Sequence, residues 1–104
     1  MINKNLKKGD ILIMELKDTI ELMTSADFRE RFIAEYAQLD IRYKGLSRMV
    51  TAYANGTLNF TPKCSLEILK QQLKEMKAYM ATLEERAKIE GIDLEKVMIK
   101  ISGN

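Results

Sequence analysis

The chain has no histidine and no tryptophan, and only one cysteine and one proline in 104 residues. Without histidine there can be no Ser-His-Asp triad, no Cys-His pair and no imidazole metal ligand. The lone Cys64 cannot close an intramolecular disulfide or contribute to a thiol clamp, and such a residue usually serves as a small buried hydrophobe. The five glycines stand apart from one another, so no Gly-rich phosphate loop is present. No apolar run nears the roughly 20 residues that cross a bilayer. Met1 to Gly9 is basic and Ile11 to Met14 apolar, the outline of a signal peptide, but Glu15, Lys17, Asp18 and Glu21 interrupt the apolar stretch early. These absences predict a cytoplasmic protein that is not an enzyme, with no catalytic residues, no metal and no cofactor.

What is present favours helix. Apolar residues make up 46% and charged residues 31% of the chain, too apolar a mixture for disorder. A single domain over residues 1–104 is expected. From Phe32 the apolar positions run Tyr36, Leu39, Tyr43, Leu46, Val50 and Tyr53, at intervals of four and three. Leu66, Leu69, Leu73, Met76, Met80, Leu83 and Ala87 repeat the same spacing. Both are heptad seams of the kind that make coiled-coil contacts. They predict helices over 25–54 and 65–90, the first entered through Thr24 and Asp27 in the manner of a capping box. Asn55-Gly56 closes the first helix, Pro62 turns the chain, and Gly91 followed by Ile92 closes the second. The ten-residue connection is too short for a parallel return, so the fold class is all-α: a long antiparallel two-helix hairpin. Leu58 and Phe60 are expected to tuck onto its end.

A shorter helix is expected over 10–23, with Ile11 to Met14 as an alternative strand. A tail element is expected over 93–101, as helix or as a strand pairing with 11–14. One seam is little cover for a chain of this size, which predicts association with further copies.

Charge is the remaining signal. Net charge is +2, too small for a general duplex-DNA binder. It is unevenly placed, however. Between Ile41 and Lys77 there are seven basic residues, Arg42, Lys44, Arg48, Lys63, Lys70, Lys74 and Lys77, against Glu67 and Glu75. Leu83 to Glu95 holds five acids against two bases. The Glu84, Glu85, Glu90, Asp93 and Glu95 group is read as a solvated face neutralised by Arg86 and Lys88, and the methionines as core. The hairpin is thus positive near its loop and negative at its open end. Arg48 and Lys63 are candidate phosphate ligands, with Tyr43 and Tyr53 as candidate stacking partners for a base. Gly45, inside the first helix, is either a tolerated surface glycine or a point of close approach.

Residues from about Phe28 to Ile92 resemble a family of small helical proteins from crAss-like phages and prophages of gut bacteria. The resemblance rests on Glu35-Tyr36-Ala37-Gln38-Leu39, on Asn59-Phe60-Thr61-Pro62-Lys63-Cys64, on Leu69 to Tyr79, and on Leu83-Glu84-Glu85-Arg86-Ala87. It implies a phage or prophage origin and brings no catalytic residues. In architecture and size the hairpin is also similar to phage proteins that assemble into oligomers and sequester the nucleotide signals of bacterial immunity. No binding motif of theirs maps here residue by residue. The resulting expectation is a homo-oligomeric binding protein for a nucleotide. The alternatives are an adaptor that docks an apolar helical face on a host or phage protein, and a weak nucleic-acid binder.

Overall fold

The computed structural model describes residues 15–94. Four helical elements follow one another: a 3-10 turn α1 (Leu16–Thr19), a single turn α2 (Ile20–Met23), and the long helices α3 (Phe28–Asn55) and α4 (Leu66–Glu90). The last two pack against each other as the antiparallel hairpin, and the described residues contain no strand. Expectations placed on residues 10–14 and 95–101 lie outside the described residues.

The entry to α3 differs from the capping box expected at Thr24. The N-cap is Asp27, whose carboxylate accepts the Arg29 N–H at 2.9 Å. The Thr24 hydroxyl instead donates back to the Ile20 carbonyl at 2.9 Å, closing α2. A short acidic side chain next to free N–H groups at a positive helix end outcompetes a threonine already committed to the preceding turn. At the other end, Gly56 takes φ 74° and the Thr57 N–H reaches the Ala52 carbonyl at 2.9 Å. Gly91 repeats this with φ 72°, its following residue Ile92 buried and bonded to the Ala87 carbonyl at 2.8 Å. Both are six-to-one closures of a Schellman motif, with the apolar contact present in the second. Ser65 caps α4 by accepting the Ile68 N–H at 3.2 Å.

Every position of both heptad seams is buried or half-buried. The core is densest toward the open end, where Phe32, Ile33, Ala37 and Leu39 of α3 meet Leu83 and Ala87 of α4 and Ile92 beyond it. Leu22, Tyr36, Ile41, Met76, Met80 and Leu94 pack around this cluster. The N-terminal turns lie on a second face of α3 and are held there by Gln38, whose amide donates to the Thr19 hydroxyl at 2.9 Å. Asp40 of α3 is buried too, and accepts from the Lys44 ammonium at 3.1 Å.

Two expectations are corrected at the loop. Leu58 is half-buried, but Phe60 stays 57% exposed, because a two-helix end offers no further wall to cover it. Cys64 is exposed as a free thiol rather than buried, since it precedes the Ser65 cap and projects away from the seam. Gly45 has no close neighbour: a Cβ there would meet only the Arg48 guanidinium, at 4.0 Å. Gly45→Ala is therefore expected to stabilise the free chain by about 0.5–1 kcal/mol, through helix propensity alone. A rise in urea midpoint with unchanged slope would show it; a fall would mean that something does approach the helix there.

Candidate functional site

The four candidate ligand residues all sit in the loop-proximal half. Tyr43 and Tyr53 are half-buried on the α3 seam, while Arg48 and Lys63 are exposed, the first on α3 and the second in the connection. The helix does not turn them all the same way. Arg48 is five residues from each tyrosine, which at 100° per residue puts it about 140° around the axis from both. Arg48 therefore faces away from the tyrosines on its own chain, on the side of Gly45.

The seam supplies a cation as well. The Lys77 ammonium lies 5.6 Å from the centre of the Tyr43 ring, across the hairpin from α4. One ring face of Tyr43 thus already carries a positive charge, which a phosphate-bearing ligand would meet first. Lys77 is one of the seven basic residues between Ile41 and Lys77; its pairing with Tyr43 follows only from the antiparallel register. Of the other six, Lys44 is tied to Asp40, and Arg42, Arg48, Lys63, Lys70 and Lys74 project into solvent.

Toward the open end the chemistry changes. The Tyr36 hydroxyl donates to Glu84 at 2.5 Å, and the Tyr79 hydroxyl donates to Glu35, so each helix hands a phenol to a carboxylate on the other. The Arg86 guanidinium sits 4.9 Å from the centre of the Phe32 ring. Arg86 thus rests on an aromatic face instead of neutralising Glu84 and Glu85 as the sequence suggests. Burial, then the hydrogen bond to Glu84 and the charges of Glu84 and Asp40, push the Tyr36 hydroxyl well above the ordinary tyrosine range. The bond to Glu35 comes first in raising Tyr79, with burial and the charge of Glu35 adding and Arg86 opposing.

A folded pKa above the unfolded one means the contribution of Tyr36 is fully present below about pH 10 and is lost as pH rises beyond it, where the unfolded chain ionises first. Thermal midpoints should therefore fall above about pH 10, and Tyr36→Phe should flatten that fall. An identical slope in the variant would remove Tyr36 from the cause.

Among the described residues no group of His, Cys, Asp and Glu could hold a metal ion, and no helix is long and apolar enough to cross a membrane. The site is thus a hairpin surface whose available chemistry is cations, phenols and amides.

Residues 26–89 of the chain match the Sequestin family. The chain belongs to that family. The Sequestin match runs from the approach to α3 through the connection and nearly to the end of α4, and so contains Tyr43, Arg48, Tyr53 and Lys63. It leaves α1 and α2 outside. It overlaps the stretch that resembles the crAss-like phage family, though what the match shows is Sequestin membership. No curated protein and no solved structure matches the chain.

Proposed function

We propose that this chain is a non-enzymatic, phage-type protein that self-associates and sequesters a small anionic signal, a nucleotide of bacterial anti-phage immunity, in the host cytoplasm. Membership of the Sequestin family carries the reading, because the family name denotes sequestering. Three features of the chain support it. The loop half has an excess of five positive charges on a protein whose net charge is only +2. Histidine is absent, which removes the commonest catalytic base. A Cβ at Gly45 would meet only the Arg48 guanidinium, at 4.0 Å, so no bulkier neighbour crowds that side of α3.

Arg48 and Lys63 bind phosphate oxygens in this reading, and Tyr43 and Tyr53 present rings to a base. Since Arg48 faces away from both tyrosines, a ligand that uses all four contacts bridges two copies of the chain. Self-association is then part of binding.

The test is equilibrium binding against cyclic dinucleotides, cyclic and linear ADP-ribose derivatives, and generic duplex DNA. One nucleotide should bind tightly and with shallow salt dependence. Affinity for duplex DNA alone, falling steeply with salt, would support weak nucleic-acid binding instead. Binding of none of these would favour the adaptor reading, for which exposed apolar side chains such as Ile20, Met23, Phe28 and Ile89, each at least 43% exposed, are available.

A further inference from the structure

Three basic residues of α4 share one side of the helix. Lys70, Lys74 and Lys77 are all exposed, and their spacing of four and three puts them within about 60° of one another around the axis. The row they form is about 10 Å long. Glu75 stands among them in sequence but is turned about 100° or more from each, and it accepts from the Gln71 amide at 2.9 Å. Glu67 lies a turn before Lys70, in the first turn of α4, where the helix end itself favours an acid.

This row borders the groove between the helices, because the Lys77 ammonium reaches the Tyr43 ring of α3 at 5.6 Å. Tyr79 and Arg86, which contact Glu35 and Phe32 of α3, sit about 160–180° around α4 from Lys77, on the opposite border. Lys70 and Lys74 take part in no ion pair or hydrogen bond among the described residues. Asp40, one turn from Tyr43 on α3, is buried and held by Lys44. Like charges at three- and four-residue spacing destabilise a helix, and a bound anion removes that cost. Lys77 is also partly fixed. An ammonium held on a ring face has less freedom to lose when it meets a ligand.

We propose that Lys70, Lys74 and Lys77 form a phosphate-binding track, with Tyr43 as the positioning residue that holds Lys77. One phosphate group does not span the row, so the class of ligand is an anion with two or more phosphate groups. For its biological ligand, a nucleotide of that class, the track rests on the sequestering reading. It uses neither Lys63 nor Arg48, which faces another side of α3.

Calorimetric titration of the full chain with inorganic tripolyphosphate and with orthophosphate, at low salt, tests the track. Wild type should bind tripolyphosphate at least about tenfold more tightly than orthophosphate, since each further phosphate finds a lysine. Lys70→Gln with Lys74→Gln should lower tripolyphosphate affinity about tenfold, and Lys77→Gln about threefold. Arg42→Gln removes a charge from the same half of the hairpin and should leave the affinity unchanged. An equal loss there would mean a diffuse field and overturn the proposal. Tyr43→Phe keeps the ring and should bind as wild type, while Tyr43→Leu should match Lys77→Gln; a Tyr43→Leu variant that binds as wild type would overturn the positioning role. No preference for tripolyphosphate in wild type would overturn the track itself. So would a loss confined to Arg48→Glu with Lys63→Glu, which would leave the sequestering reading intact. Tripolyphosphate binding through the three lysines in a chain that takes up no nucleotide would keep the track and remove that reading.

Discussion

Replacing Arg48 and Lys63 together by glutamate is expected to lower affinity for the bound nucleotide at least a hundredfold while leaving the fold unchanged. Each side chain would make a charge-assisted contact to phosphate, and such contacts contribute about 1.5–3 kcal/mol each. Two of them correspond to roughly 10²–10⁴ in the dissociation constant. Glutamate adds repulsion to the loss. Both residues are exposed and have no partner among the described residues that would be stranded, so the helix content and unfolding midpoint should stay near wild type. Calorimetric titration of wild type and variant checks this directly. Unchanged affinity in a folded variant would place the anion elsewhere, with Lys77 over Tyr43 as the next position to change. Tyr43→Ala and Tyr53→Ala should act differently, since both rings help fill the seam and their loss also lowers stability.

Leu83→Ala is expected to have the largest effect on stability. Leu83 is 1% exposed, and with Leu69 and Ala87 it is one of three buried residues that α4 brings to the core. Removing its isopropyl group leaves a cavity in the cluster it shares with Phe32, Ile33 and Ala37. Such deletions cost about 2–5 kcal/mol, a large part of the roughly 5–15 kcal/mol that stabilises a protein of this size. A fall in thermal midpoint of more than about 10 °C follows. Lys70→Ala, on the exposed side of the same helix, should stay within about 0.5 kcal/mol of wild type. Equal midpoints for Leu83→Ala and Lys70→Ala would mean that α4 packs through a different face.

The hairpin was legible because heptad spacing over six intervals in each helix has few other physical readings. The cap at Gly91 was legible for the same kind of reason: a glycine followed by an isoleucine at the end of an amphipathic run has one well-known use. The start of α3 was not, because Thr24, Ser25 and Asp27 can all cap, and only their hydrogen bonds decide among them. Ser25 Oγ is engaged by the Asp27 N–H at 3.0 Å and donates to Glu30 at 2.6 Å, which leaves Asp27 to hold the helix end. Pairs that cross the hairpin, Tyr36 with Glu84, Tyr79 with Glu35 and Arg86 with Phe32, depend on a register that the length of a ten-residue connection does not fix. Asp40 is an apparent exception to the apolar inside, buried and paired with Lys44 one turn on. Within the candidate site, the basic character of the loop half was readable from composition along the chain. The outward turn of Arg48 was implicit in its five-residue offset from each tyrosine, and Lys77 over Tyr43 needed the folded hairpin.

The most direct test of ligand sequestering is native mass spectrometry of the protein purified, without added ligand, from bacteria whose immune signalling is active. An assembly of two or more copies carrying a few hundred daltons of extra mass per site, released on denaturation as one nucleotide, is the predicted result. A clean mass for the bare chains that stays unchanged after incubation with the full nucleotide panel would contradict it.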